Sequence, residues 1–262
     1  MVHYNGTCAQ ELEKLITPPY DIISPAEQEQ FYNLNPFNMI RLVLGKELSD
    51  DTDNNNRYTR AASTLEEWMS QGVLVRDELP ALTVYQMEFH NHDGDRNVID
   101  GVVALVKVDE YGIGKVLPHE KTYKGPKQDQ LNLLKACRSH LTPIHALFGD
   151  EQNNVAAQYA DLLKQPPQQE TTDGNGDIHR TWTLSDESAI AIVREALADK
   201  SILIADGHHR YETSLAYKKY MVEKGASDAG SGHEYVMMYL TSMSHPGLRI
   251  YPAHRMVKGL HF

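Results

Sequence analysis

The 262-residue chain reads as an α+β protein. Three observations predict that class. Strand-like and helix-like segments intermingle without the regular βαβ alternation that a doubly wound parallel sheet requires. Two apolar runs, Leu82–Phe89 and Val98–Val108, flank the turn-rich segment His90-Asn91-His92-Asp93-Gly94-Asp95 and read as a β-hairpin. A short buried-type strand, Ser201–Ala205, ends in a glycine turn that opens a helix.

Taken in order, Pro18 and Pro19 forbid helix in the segment Thr17–Ser24. Ser24, Pro25 and Glu27 supply an N-cap, a first helical residue and a capping-box acid, which predicts a helix to about Leu34. Asn35-Pro36-Phe37-Asn38 stops it, and Met39–Leu44 is expected to be a short strand. After the acidic loop Asp50–Asn56, residues Tyr58, Ala61, Ala62, Leu65, Trp68 and Met69 recur at helical spacing up to Gly72. Beyond the hairpin, Val116–Glu120 leads to a break at Gly125-Pro126, and a helix is expected from about Lys127 to His140. Pro143–Phe148 is read as strand, Val155–Lys164 as helix and Pro166–Gly176 as loop. Ile178–Leu184 returns as strand, with Ser185 capping a helix to about Ala198. Asp206–Arg210 forms the turn, Tyr211–Lys224 a helix and Tyr235–Thr241 a strand. Ile250–Arg255 reads as a strand and turn expected to lead further, so the tail reads as truncated.

Charge narrows the partners. There are 36 acidic and 25 basic residues, a formal charge of −11, whereas nucleic-acid binding draws on basic residues that displace counterions. Nucleic acid is therefore an unlikely partner. The small basic groups at Lys121–Lys127 and Lys218–Lys219 suit a small phosphorylated ligand better. No apolar run reaches the roughly 18–20 residues of a membrane helix, and the first residues lack a signal-peptide pattern. Cys8 and Cys137 form no C-x-x-C pair. These features predict a cytoplasmic protein without membrane partners.

The segment Asp206-Gly207-His208-His209-Arg210 carries the most chemistry. A strand that ends in glycine and opens a helix leaves backbone N–H groups pointing one way, and the helix dipole makes that end an anion site. Gly207 permits close approach by a phosphate. His208, His209 and Arg210 add donors, Arg210 with a fork suited to bidentate contact. Asp206 is placed to hold a metal ion or orient a hydroxyl. The competing reading is a helix start capped by Asp206 with solvated histidines. A zinc site is not expected, because His119-Glu120 lacks the second histidine of H-E-x-x-H, with Tyr123 and Lys124 where it would fall.

The run Ile202–Tyr211 resembles the phosphate-binding turn of the ParB/sulfiredoxin-like superfamily, and most of all its free-serine kinase branch. Leu117-Pro118-His119-Glu120 is similar to the Pro-His-Glu segment of that branch. The resemblance covers about Val116–Lys224, and here the interval between Glu120 and Asp206 is longer. It implies Glu120 as catalytic base and Asp206 as the partner of Mg²⁺ or of a hydroxyl. It also implies Gly207, His208, His209 and Arg210 as nucleotide-phosphate ligands, joined by His119. Lys121, Lys127 and Arg138 would neutralise phosphate charge, with Thr122 as a hydroxyl donor; an exposed helix face is the plainer reading of Lys127 and Arg138.

Over its whole length the chain also resembles a widespread bacterial and archaeal domain of unknown function. The matching segments are Pro18-Pro19-Tyr20-Asp21, Asn35-Pro36-Phe37-Asn38 with Arg41, His119-Glu120-Lys121-Thr122, the Asp-Gly-His-His-Arg turn and Pro252-Ala253-His254-Arg255. This likeness places Tyr20 and Asp21 at a substrate pocket, with Asn38 and Arg41 beside them as anchors.

Together these readings predict three segments. An α+β region at 1–115 completes a substrate pocket, a ParB/sulfiredoxin-like core spans 116–225, and a strand-rich tail covers 226–262. The expected function is a nucleotide-dependent phosphotransferase, using ATP or ADP with Mg²⁺ on a small hydroxylated metabolite such as serine. Two other classes stand beside it: a ParB-type nucleotide-binding regulatory module and a metal-dependent hydrolase.

Overall fold

A computed structural model describes residues 1–6, 8–120, 124–226, 230–251 and 259. In chain order the strands and α-helices are β1 (Val2–Tyr4), α1 (Pro25–Leu34), α2 (Ile40–Val43), α3 (Arg57–Ser70), β2 (Leu74–Arg76), β3 (Leu82–His90), β4 (Arg96–Lys107) and β5 (Val116–Leu117). They continue with α4 (Lys124–Cys137), β6 (Ile144–Phe148), β7 (Gln169–Thr172), β8 (Ile178–Leu184), α5 (Glu187–Ala198), β9 (Ile202–Asp206), α6 (His208–Glu223) and β10 (Tyr235–Ser242).

Eight strands form one mixed sheet in the order β5-β9-β6-β10-β4-β3-β8-β7, while β1 and β2 pair separately. Only the β5–β9 and β6–β10 neighbours run parallel. The α+β expectation therefore holds. All three expected segments feed this sheet: β3 and β4 come from 1–115, β5 to β9 from 116–225, and β10 from the tail. One face carries the main core, where Val84, Val102, Ile144, Ile204, Met238 and Leu240 pack with Tyr211 of α6 and Val193 of α5. A second core gathers Trp68, Leu65, Leu12, Leu15, Leu42 and Leu74 around α3 and the β1–β2 pair. No helix among the described residues is long and apolar enough to cross a membrane.

Local signals explain most elements. The Ser24–Glu27 capping box starts α1 with Pro25 at its first position. The hairpin pairs Leu82–His90 with Arg96–Lys107 around Gly94.

The differences have causes in packing. Met39–Leu44 holds the short helix α2, not a strand. The Asn38 Oδ1 accepts the Ile40 N–H at 2.9 Å and closes a turn there, and Ile40, Leu42 and Val43 are all buried. Pro166–Gly176 contains β7, an edge strand paired with β8. Val155–Lys164 is two 3₁₀ turns, because Asp150 binds the Asn154 and Val155 N–H groups while the Tyr159 hydroxyl is held by Asp100. Asp186, not Ser185, caps α5 by accepting the Ala189 N–H at 2.7 Å. Helix α4 begins at Lys124, before the expected break, with Pro126 in a first turn that needs no N–H donor from it. Helix α6 begins at His208, three residues earlier than expected. Of the expected Ile250–Arg255 strand and turn, residues 252–255 lie outside the described residues.

Candidate functional site at the start of helix α6

Strand β9 delivers the chain to Asp206, and Gly207 turns it into α6 with φ of +99°. That left-handed conformation favours glycine. A Cβ at position 207 would also lie 2.8 Å from Arg210 Nε and 2.9 Å from Nη2, so the guanidinium lies against this turn. Glycine has no side chain with which to cap α6. Gly207 thus contributes no cap, and the dipole of the 16-residue helix favours negative charge at this end.

The side chains of the turn are engaged in an order that spacing alone does not reveal. Arg210 Nη2 donates to Asp206 Oδ2 at 2.5 Å, and Nη1 donates to Thr142 Oγ1 at 3.3 Å and to the Pro143 carbonyl. Its fork grips protein oxygens. Asp206 keeps its carboxylate 72% exposed even so.

His208 points inward and is 1% exposed. Its Nε2 accepts the backbone N–H of His119 at 3.2 Å, so the proton of the neutral ring sits on Nδ1. Nδ1 lies 3.1 Å from Glu120 Oε1, within ion-pair range but outside hydrogen-bond alignment. Burial holds the imidazole below its usual pKa, against the pull of Glu120. His119 Nε2 donates to the Ala205 carbonyl at 3.2 Å, and its ring meets His208 edge-on at 4.5 Å. The parallel β5–β9 pair is thereby tied at its end to the start of α6. Glu120 stays 55% exposed. Both Glu120 and Asp206 act electrostatically on His208, so both carboxylates lie near this helix start. Its Nε2 is thus engaged by the His119 N–H, while Nδ1 makes no hydrogen bond among the described residues.

Tyr20 opens a 3₁₀ turn, Tyr20–Ile22, and stands beside this site. Burial, then Asp21, raises its phenol pKa, and Arg210, Asp129 and Asp206 act on it too. Tyr20, Thr142, Leu134 and Arg210 line a common small cavity. Asp21 is exposed next to it.

Asn38 and Arg41, expected as anchors beside a substrate pocket, make their contacts within the protein. Asn38 is 0% exposed; its amide donates to the Lys14 and Ile16 carbonyls at 2.7 and 3.3 Å and accepts from Ile40. It pins the chain just before Pro18-Pro19-Tyr20. Arg41 donates to the Tyr32 carbonyl at 2.9 Å and stacks over the Tyr32 ring at 4.4 Å.

Lys127 pairs with Glu212 between α4 and α6. Arg138 takes φ of +50° just after α4, where its N–H bonds the Leu134 carbonyl, and its charge falls near Tyr217, well along α6 from His208. Lys121 and Thr122 lie outside the described residues.

Two residues that the sequence did not single out join the site. Thr142 receives Arg210. His145 faces Asp206 across the β6–β9 pair. Burial keeps its imidazole below the usual pKa, Asp206 and Arg210 acting in opposite senses, and its Nε2 has no hydrogen-bond partner among the described residues. The ring stacks on Tyr239 at 5.0 Å; Tyr239 meets Tyr85 edge-on, and the Tyr85 hydroxyl lies 2.6 Å from His179 Nδ1. A row of polar rings thus crosses the sheet from the turn. Its one sequence signal is His145 between Ile144 and Ala146, since alternation puts it on the opposite face from those two core residues.

Residues 2–262 match the family model described as protein of unknown function, DUF1015. The chain belongs to that family. Neither the curated proteins nor the solved structures contain a match. In this DUF1015 chain, therefore, chemistry rests on the geometry itself: an anion-favouring helix end with two exposed carboxylates near it. Among the described residues no group of three or more His, Cys, Asp or Glu side chains is arranged to hold a metal ion. A metal here would rely on Asp206 together with groups that a ligand brings.

Proposed function

We propose that the protein is a nucleotide-dependent phosphotransferase acting on a small hydroxylated metabolite. The observation that carries this reading is the pair of exposed carboxylates, Glu120 and Asp206, near the start of α6, where Gly207 offers no capping side chain. Phosphoryl transfer asks for charge stabilisation and positioning, with one group to take the acceptor proton. The helix end would receive the phosphates of ATP or ADP. Glu120, steadied by His208, would take the hydroxyl proton while the terminal phosphoryl group passes to that oxygen and the shortened nucleotide leaves. Mg²⁺ usually binds through one or two carboxylates plus substrate phosphates, and Asp206 fits that demand. The strand–Asp-Gly-His-His-Arg–helix unit, with Glu120 carried in by a neighbouring parallel strand, supports a ParB/sulfiredoxin-like core. Tyr20 beside the turn supports an acceptor approaching from the N-terminal segment.

The engagement of Arg210 with protein oxygens favours a second reading. A nucleotide that drew Arg210 from Asp206 and Pro143 would free the Thr142-Pro143 loop, as a ParB-type switch requires. Phosphorus NMR of the protein with ATP or ADP, Mg²⁺ and a panel of small alcohols including serine separates the two. A new phosphomonoester signal that depends on the acceptor is expected. Tight nucleotide binding with no transfer to any acceptor would leave the switch standing.

A further inference from the structure

The far end of the sheet holds a different kind of site. Along β6, His145 lies opposite Asp206 while Phe148 lies opposite Ile202, so Phe148 is at the end remote from the turn. Phe148 and Ser242 there wall a cavity of about 200 Å³. A cavity of roughly 150 Å³ accommodates a benzene-sized molecule, and close-packed interiors hold few voids of that size.

The lining divides cleanly. Phe148, Ala156 and Leu163 form an apolar wall, and Asp100, Asp150 and His245 form a polar one. Asp150 is 4% exposed and accepts the N–H groups of Asn154 and Val155 at 2.8 and 3.1 Å. Asp100 accepts the Tyr159 hydroxyl at 2.9 Å and His245 Nε2 at 3.1 Å. The other His245 nitrogen accepts the Gly247 N–H at 3.0 Å, which puts the ring proton on Nε2. Neither imidazole nitrogen is left to move a substrate proton, so the chemistry here is binding. Among the described residues no lysine or arginine pairs with Asp100 or Asp150; the sole ion-pair partner of either is His245. Burial, and then Asp100 with a smaller part from Asp150, raises the Tyr159 phenol pKa. Asp150, held by two backbone N–H groups, and the partly buried Asp100, held by a hydroxyl and one imidazole N–H, have no lysine or arginine partner among the described residues, a setting that favours a cation.

We propose that this cavity binds a small organic cation, a primary ammonium on a short alkyl chain. The ammonium would face Asp100 and Asp150, and the chain would lie on Phe148, Ala156 and Leu163. The site does not depend on the reading given to the α6 turn. The test is calorimetric titration of the full chain with butylammonium, with 1-butanol and with calcium, in wild type, Asp100→Asn and Ala156→Phe. Butylammonium is expected to saturate and to bind at least about tenfold more tightly than butanol. Asp100→Asn should remove that advantage while leaving butanol unchanged, and Ala156→Phe should abolish both by filling the space. Equal affinity for the amine and the alcohol, no saturation by either, or calcium displacing the amine at lower concentration would overturn the proposal. Amine and alcohol are compared on wild-type protein, so the test decides even if a variant fails to fold.

Discussion

Two polar segments stand out in the sequence, the Pro-Pro-Tyr-Asp region with Asn38 and Arg41, and the Asp-Gly-His-His-Arg turn with Glu120. The structure treats Asn38 and Arg41 differently from the turn. Asn38 spends both ends of its amide on backbone and is sealed from solvent, and Arg41 lies on a tyrosine ring. At the turn, Arg210 is likewise spent on the protein and His208 is buried with its Nε2 engaged, yet Glu120 and Asp206 remain open to solvent. What separates scaffold from candidate site is which polar atoms keep unused capacity after folding.

Substitutions can break that contrast. Glu120→Gln should give the largest effect, lowering acceptor-dependent phosphate transfer by about 10²–10⁴-fold with no change in melting temperature, since the side chain is exposed. Steady-state kinetics beside calorimetry would check both halves. Asn38→Leu should do the reverse. Two backbone carbonyls and one N–H lose their partner, which should cost about 3 kcal/mol in urea unfolding and leave nucleotide affinity unaltered in the folded fraction.

The buried histidines sharpen the comparison through pH. Burial lowers the pKa of His140, His145 and His208. The unfolded chain therefore binds protons first, and stability is full above the unfolded value of about 6.5. It falls as pH drops through 6.5 towards the lowered folded values, because the unfolded state then holds more protons. Each histidine contributes at most about 1.4 kcal/mol per pH unit. In urea titrations between pH 7 and 5, His140→Gln should flatten that decline; an unchanged slope would remove His140 from the account. The smallest effect belongs to Arg138→Gly, which relieves a left-handed backbone and should stabilise by about 1 kcal/mol. Phosphate affinity should not change, since Arg138 stands apart from the turn.

Legibility followed the range of the interactions. The α1 cap, the hairpin and the β9–turn–α6 unit are written within a few residues, and each was readable. Met39–Leu44 misled because an apolar run of six suits a strand or a helix, and Asn38 decides between them. Strand β7 hid among prolines and glycines because its order comes from pairing with β8. The inward turn of His208 depends on a backbone N–H 89 positions away in sequence, and no local pattern announces it. His145 joined the site by sheet register alone. The two carboxylates were legible as residue types, while their shared proximity to one imidazole was not.

Backbone amide NMR of the full chain during titration with ATP or ADP and Mg²⁺ addresses the helix end itself. Shifts concentrated at Asp206–Arg210 and His119-Glu120, and lost in Gly207→Ala, are the expected result. Saturable nucleotide binding that leaves those amides unmoved, or that survives Gly207→Ala undiminished, would contradict an anion site at the start of α6.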